Sequence, residues 1–424
     1  MKKIFFLILI LVVAHNTYAQ PVQLYNKGTL KANQDKLYSN LVRYTINHNL
    51  TLPLTDSTEE NWQDAFQAME VLRYKTPWIE RKIRYAAENI LTSGISFQRA
   101  FIELLYTLYP GKFNNQVQQV LLQSTDAKIF AMCAVYLMQS DSLKEKKKFL
   151  NIKTRQLLAE HPQHPILLQL QYFISNYYTS PSPPSIKSLL LKDYLPGNVL
   201  LFSFQRKNRD YPGMAMIRDA EGNFIKDSTG NYFFIPQLAR SVSNLPAFLT
   251  NGNTPEGILR MDKFEVSVSS FIGPTPNLQL SMPFEKKMFH FFNTQNDNDT
   301  LWDIERYKKL LPSNFQNYYP MMQSWFAGMA GRTEIIAHGS TVNPAYYFAQ
   351  PYYPLTPTQG CLAAKEIWSN ENGKRKMSDQ QKLVDAVLKA GGAHGYAIVI
   401  NIDDAQKPVS ITDILPYLKL AAQK

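Results

Sequence analysis

The stretch TPTQGCLAAKEIW, residues 356–368, holds one of the two cysteines in this chain of 424 residues. A polar, proline-containing loop precedes Cys361, and the apolar residues of LAAKEIW after it are spaced as on one face of a helix. A helix N-terminus has unpaired N–H groups and the positive end of a dipole, and both lower the pKa of a thiol. The pattern predicts a thiolate nucleophile at Cys361, with an oxyanion hole formed by the N–H groups near Gly360 and Cys361.

A histidine upstream supplies the base that a cysteine nucleophile needs. In TEIIAHGSTVNP, residues 333–337 are predicted to form a strand that ends at His338 and Gly339. Imidazole titrates near neutrality, so His338 is the candidate to take the thiol proton. Either residue alone is more often structural, but a histidine at a strand end together with a cysteine at a helix start indicates catalysis.

The N-terminus is typical of a secretory signal peptide, predicted over residues 1–19. Lys2 and Lys3 precede an apolar run of about ten residues, and a small residue, Ala19, ends the segment. That run is shorter than the roughly 20 residues of a membrane span, although an uncleaved anchor is the alternative. No other segment is apolar enough to span. We expect a soluble protein in the periplasm, without a stable membrane span after cleavage.

Charge and cysteine content narrow the classes of partner. The formal net charge is +11, or +9 without Lys2 and Lys3. Outside the cytoplasm this charge favours an anionic cell envelope over nucleic acid, unless it serves solubility alone. An oxidising compartment would permit a disulfide between Cys133 and Cys361. The apolar run IFAMCAVYL instead predicts that Cys133 is a buried thiol, which leaves Cys361 free.

Hydrophobic periodicity changes along the chain and predicts an α+β multidomain protein. In the first part of the chain the apolar residues have helical spacing. This predicts an irregular bundle or a solenoid-like array of helices that could dock a protein partner. Short β-branched and aromatic runs bounded by turns follow, with late helices such as SDQQKLVDAVLK and a closing strand, GYAIVINI. The predicted segments are a helical domain at 20–176, a linker at 177–194, a catalytic domain at 195–405 and a C-terminal segment at 406–424.

The motif HG, a loop and then TQGCL resembles the signature of the L,D-transpeptidase catalytic domain, the YkuD-like family. The upstream segment TPEG, which includes Thr254 and Gly257, is similar to a second element of that family. The resemblance covers roughly residues 195–405 and does not reach the helical part. It implies a mostly-β catalytic domain, with the predicted helix after the cysteine.

The resemblance also implies a reaction. Cys361 would attack the carbonyl of the L-centre residue in a peptidoglycan tetrapeptide stem and release D-alanine. The thioester would pass to an amine of an acceptor stem, which gives a cross-link, or to water, which gives a carboxypeptidase. His338 would be the base, the carbonyl of Gly339 would orient its imidazole, and Gly360 would support the nucleophile. No metal or organic cofactor is needed.

Some positions depart from the family pattern. Ala363 stands where the family usually has Arg or Asn, and Lys365 is a candidate to replace that charge at the substrate. Thr358 and Gln359 are the other candidate substrate-binding residues, although many members have histidine at the position of Gln359. An inserted run, PAYYFAQPYYPLTP, could line the cleft or form a stiff surface loop. Alternative functions are an amidase that cuts a wall-linked peptide and a non-catalytic wall-binding scaffold.

Overall fold

The structure is a computed structural model that describes residues 23–139, 143–177, 179, 181–294 and 301–422. The predicted signal peptide lies outside these residues. Within the described part of the chain, no helix is both long enough and apolar enough to cross a membrane.

The first part of the chain is helical, as predicted, and its helices form where the apolar spacing is helical. In the helix that contains FQRAFIELL, Phe97, Phe101 and Leu105 are buried at four-residue intervals. A π-helix, Leu41–His48, joins the first two helices. The α-helices are α1 (Lys31–Asn40), α2 (Asn49–Thr51), α3 (Glu59–Leu72), α4 (Pro77–Asn89), α5 (Ile95–Leu108), α6 (Asn114–Gln123), α7 (Ala127–Leu137), α8 (Leu143–Glu160), α9 (Pro165–Ser175) and α10 (Lys187–Leu190).

The helical core continues into the second part of the molecule. Aromatic rings at its centre include Phe66 and Phe101, with centroids 5.3 Å apart. The same apolar cluster contains Leu245, Phe248 and Leu249, which come from the region predicted to be catalytic. The helices therefore pack directly onto the region that contains Cys361.

The second part contains a closed barrel of eight strands in the order β1-β10-β4-β5-β6-β7-β3-β2. Pairs β1/β10 and β6/β7 are parallel, and the other neighbours are antiparallel. Strands β8 and β9 form a separate two-stranded sheet. The strands are β1 (Val199–Arg206), β2 (Gly213–Arg218), β3 (Ile235–Leu238), β4 (Gly257–Glu265), β5 (Asn277–Ser281), β6 (Ile335–His338), β7 (Leu362–Ala364), β8 (Glu366–Trp368), β9 (Arg375–Ser378) and β10 (Gly395–Asp403).

Helices interleave with these strands and cover the barrel. Alternate residues of β1 point to two different apolar cores. Val199 and Leu201 belong to a cluster that contains residues of all eight barrel strands. Phe202 and Phe204 belong to a second cluster, in which the barrel packs against the surrounding helices. The predicted C-terminal segment contributes buried Ile414 and Leu418 to the outer core. The helices of this part are α11 (Met288–Phe292), α12 (Ile304–Lys309), α13 (Gln323–Met329), α14 (Asp379–Lys389) and α15 (Ile411–Ala422).

The expected fold class, with a mostly-β YkuD-like domain and a helix after the cysteine, is wrong. The structure is a closed barrel with many helices, a mixed α/β arrangement. LAAKEIW forms β7 and β8 instead of a helix. Alanine, lysine and glutamate favour a helix locally, but β7 pairs with β6 on one side and β3 on the other. Closing the barrel through these two ladders outweighs the local preference.

Candidate active site around Cys361

Cys361, the predicted nucleophile, immediately precedes β7, and His338, the predicted base, ends β6, the parallel neighbour of β7. In the ladder between β6 and β7, Ala337 pairs with Leu362 and His338 pairs with Ala363. Paired residues share a face of the sheet, so His338 and Ala363 point the same way, and Cys361 lies two residues before Ala363. Ala337 and Leu362 point the other way, into the core of the barrel. The structure thus places Cys361 and His338 on adjacent strand segments, two positions apart in the ladder.

His338 is held as a neutral imidazole with one nitrogen available. Its Nδ1 donates a hydrogen bond to the carbonyl of Gly339 at 2.5 Å, because a carbonyl oxygen can only accept. This is the orienting contact that the resemblance implies. The side chain is 4% exposed, and burial lowers its pKa to about 4. At neutral pH, Nε2 therefore carries a lone pair that can accept a proton.

Gly339 has no room for a side chain. A Cβ at this position would overlap the carboxylate of Glu366, which lies at the start of β8. Glu366 is itself fixed by Thr275 and Ser378, whose hydroxyls donate to Oε1 at 2.6 and 2.5 Å. The small sheet of β8 and β9 therefore packs, through Glu366, against the Gly339 backbone whose carbonyl orients His338.

The Cys361 thiol is partly exposed and lies before β7 rather than at a helix start. Its Sγ is 3.5 Å from the carbonyl oxygen of Glu334, which accepts the thiol proton's hydrogen bond. Burial raises the pKa of the thiol, while the N–H of Ile336 and the charge of Arg332 lower it. The predicted thiolate at a helix N-terminus is therefore wrong, and the resting form of Cys361 is the thiol.

Arg332 is a residue near Cys361 that the sequence analysis did not single out. Its guanidinium is buried, with Nη1 donating to the carbonyls of Ala247 and Asn253 at 2.5 and 2.8 Å and Nη2 donating to Gly252 at 2.5 Å. These described bonds go to neutral carbonyls, so its charge remains available to stabilise a thiolate at Cys361. Burial lowers its pKa to about 10, which leaves it charged at neutral pH. No motif in GMAGRTEI marks this arginine.

Gly360 and Thr358 shape the loop before the nucleophile. Gly360 has a φ of +113°, and a Cβ there would overlap the Arg332 guanidinium. The Thr358 hydroxyl accepts from the N–H of Gly360 and donates to the carbonyl of Cys361, both at 3.0 Å. Because the Gly360 N–H is already bonded, the expected oxyanion hole cannot use both amides.

The two sequence elements of the resemblance meet at this loop. The hydroxyl of Thr254, in TPEG, donates to the carbonyl of Gly360 at 2.8 Å. Among the predicted substrate-binding residues, Thr358 thus forms hydrogen bonds within the loop. Its neighbour Gln359 is exposed to solvent. Lys365 lies between β7 and β8, with its carbonyl accepting from the N–H of Asp379 at 2.9 Å.

The tyrosine-rich insert covers the site in two layers. Tyr347 and Tyr352 are buried in a small cluster with Ala363, the residue paired with His338. Phe348 and Tyr353 instead face outward, 75% and 41% exposed, with ring centroids 5.3 Å apart. The insert therefore has an inner layer that packs with Ala363 and an outer aromatic surface, and its role at a substrate cleft stays a prediction.

The remaining histidine pair and the second cysteine have structural contacts. His161 and His164 flank the turn between α8 and α9, where the N–H of His164 donates to the carbonyl of His161 at 3.1 Å. Cys133 is fully buried in α7, and both cysteines are free. In the described part of the chain, no group of three or more His, Cys, Asp or Glu residues could hold a metal ion.

Comparison with known proteins gives no relative. A scan against protein-family models, a search of curated proteins and a search of solved structures each found no match. Support for a function therefore comes from the residues of this chain and their geometry.

Proposed function

We propose that this protein is a cysteine-dependent acyltransferase, with Cys361 as nucleophile and His338 as general base. The observation that supports the proposal is the ladder between β6 and β7, in which the partner of His338 is Ala363, two residues after Cys361. The bond from His338 Nδ1 to Gly339 leaves Nε2 as the acceptor. A cysteine next to an oriented neutral imidazole is suited to nucleophilic catalysis.

The proposed reaction has two half-reactions. His338 Nε2 takes the thiol proton, the sulfur attacks a substrate carbonyl, and the C–N bond to the leaving amine breaks as the imidazolium protonates that amine. An acceptor amine then attacks the thioester, its proton passes to Nε2, and the thiolate leaves and is reprotonated. Because the pKa of His338 is about 4, its imidazolium is a strong acid that returns the proton readily. Arg332 stabilises the transient thiolate.

The proposed substrate is the tetrapeptide stem of peptidoglycan. Three observations support it: the resemblance of the motifs TPEG and TQGC, the hydrogen bond between Thr254 and Gly360 that joins them, and the net charge, which is +11 for the full chain and +9 without Lys2 and Lys3. Transfer to an amine of a second stem gives a cross-link. The predicted signal peptide over residues 1–19 would direct the enzyme to the periplasm, where this substrate lies.

Hydrolysis is the second candidate activity. Cys361 is partly exposed to solvent, so water can reach a thioester there. The same acyl-enzyme would then release a shortened stem, as in a carboxypeptidase, or a cut tether, as in an amidase.

The test is mass spectrometry of purified disaccharide-tetrapeptide incubated with residues 20–424, which retain every described residue. Cys361→Ala and His338→Ala are the inactive variants, and Cys133→Ala is the matched control. A cross-linked dimer formed by wild type and Cys133→Ala alone supports transpeptidation. Loss of D-alanine without dimer supports the carboxypeptidase. Unchanged substrate in every sample, and no thioester adduct on Cys361, contradicts acyl transfer on tetrapeptide stems and leaves a tether-cutting amidase or a wall-binding scaffold.

A further inference from the structure

A second candidate site lies at the same rim of the barrel. Strands β1 and β10 are parallel, so their C-terminal ends meet at one edge, and β4 runs antiparallel to β10 and begins there. Arg209 follows β1, Asn401 lies near the end of β10, and Glu256 immediately precedes β4. Topology alone therefore brings a guanidinium, an amide and a carboxylate together.

These three side chains line a cavity of about 820 Å³ between the barrel and the N-terminal helices. Helix α9 closes one side with Tyr172 and Phe173. Neither Cys361 nor His338 lines it, but Thr254 does, and the Thr254 hydroxyl bonds the carbonyl of Gly360. The cavity is thus separate from the cysteine and shares one loop with it.

The cavity wall contains polar atoms without partners. Arg209 is 6% exposed; its Nη2 donates to the carbonyl of Thr254 at 3.3 Å, and its Nη1 has no hydrogen-bond partner among the described residues. The hydroxyl of Tyr172 and Oδ1 of Asn401 are likewise buried and unpartnered in the described part of the chain. An unpaired buried donor is costly, so such atoms commonly mark a position that a ligand fills.

The charges in the wall favour an anion. Both oxygens of Glu256 already accept from Asn401, Oε1 from Nδ2 at 2.6 Å and Oε2 from the backbone N–H at 2.8 Å. Burial raises the pKa of Glu256 to about 7, so this carboxyl is partly neutral near pH 7. Burial lowers the pKa of Arg209 only to about 10, so the guanidinium stays charged.

Other charged groups in the wall do not cancel this positive charge. Lys207 is a second cation, and it is exposed to solvent. Asp403 and Asp404 are exposed to solvent, and Asp403 is paired with Arg206 at 2.7 Å. In the buried part of the wall, Arg209 is therefore the cation, and the partly neutral carboxyl of Glu256 is the group that opposes its charge.

We infer that this cavity binds a small molecule whose carboxylate is held by Arg209 and whose apolar body lies among the surrounding rings. Tyr172, Phe173, Phe248 and Tyr318 supply those rings. The volume is within the usual range of small-molecule sites, and a few polar groups in an aromatic wall are their usual composition. The inference does not depend on the chemistry proposed at Cys361.

The test uses residues 20–424 and a panel of N-acetyl-alanine, N-acetyl-phenylalanine and N-acetyl-alanyl-alanine, each with its C-terminal amide as the uncharged control. Binding is measured by ligand-observed NMR and calorimetry. We expect at least one acid to bind with a Kd below about 1 mM, and its amide to bind at least about tenfold more weakly. Arg209→Met should weaken the acid at least about tenfold, whereas Cys361→Ala should leave its affinity unchanged.

Tyr172→Phe keeps the test decisive if Arg209→Met fails to fold. Its hydroxyl has no described partner, so its removal should leave the melting temperature unchanged and weaken the acid about threefold. The inference is overturned if no acid binds, if acids and amides bind alike, or if a folded Arg209→Met variant binds as wild type does. Unchanged binding by Cys361→Ala also separates this result from the outcome of the acyl-transfer assay.

Discussion

The two cysteines have opposite surroundings although burial raises the pKa of both thiols. Cys133 is fully buried in α7 among apolar side chains. Cys361 is partly exposed at a strand start, with the Ile336 N–H and the Arg332 charge opposing the effect of burial. Desolvation alone thus does not separate a structural thiol from a candidate nucleophile. Solvent access, a nearby cation and an oriented imidazole distinguish the candidate nucleophile from the structural thiol.

The largest expected difference is in activity. Cys361→Ala should reduce acyl transfer by at least about 10³-fold, since it removes the nucleophile. Cys133→Ala should leave the rate within about twofold, because Cys133 lies in the helical core, away from β6 and β7. Rates of D-alanine release measure both. An equal loss of activity in the two variants would contradict the different roles assigned to the two cysteines.

His338 should make stability fall in acid. Its pKa is lowered from an ordinary 6.5 to about 4, so the unfolded chain binds its proton first. The stabilisation is complete above pH 6.5 and is lost as the pH falls through 4, by about 3 kcal/mol in total. His338→Asn keeps a donor for the carbonyl of Gly339 and removes this titration. Urea unfolding at pH 7 and pH 4 should show a smaller acid loss in the variant; equal losses would refute the assignment.

Thiol labelling should separate the two cysteines in the folded protein. Iodoacetamide should modify Cys361 at least about 100-fold faster than Cys133, which should react at a comparable rate only in urea. Because the pKa of Cys361 is raised, its labelling rate should still climb above pH 9 rather than level off near pH 7. Mass mapping of labelled peptides gives both rates. A plateau near neutrality would mean a resting thiolate.

Arg332 should have the smallest of these effects. Arg332→Met removes the cation near Cys361 and should slow thiol labelling at pH 8 about tenfold by raising the thiol pKa further. Arg332→Lys keeps the charge and should slow it less. A melting curve for each variant tests folding, because Arg332 also bonds three carbonyls. Identical labelling of folded Met and Lys variants would show that charge is not the cause.

Local patterns predicted much of the secondary structure and misjudged one decisive element. The helical spacing of Phe97 and Phe101 is confirmed in α5, and the strand predicted before His338 is confirmed as β6. GYAIVINI is confirmed within β10. The helix expected after Cys361 failed because its residues take their conformation from two distant strands. Pairing across the barrel leaves no local signal.

The candidate site likewise contains residues that the sequence could predict and a residue that it could not. Cys361 and His338 could be chosen from residue type and from their places beside predicted elements. Arg332 could not, since its position depends on the loop at 247–253, whose carbonyls hold its guanidinium. The sequence also could not predict the cavity next to Arg209, because the ends of β1, β4 and β10 meet only when the barrel closes.

The parallel pairing of β1 with β10 has a consequence for how the protein folds. Val199 pairs with Gly395, so the barrel is closed by two segments separated by nearly half of the chain. Contacts of such high contact order form slowly, whereas the helices before β1 pack mainly against near neighbours. A nascent chain that stops short of residue 395 leaves β1 and β4 with open edges, the state most prone to aggregation. The barrel can therefore close only after the chain has been made as far as β10.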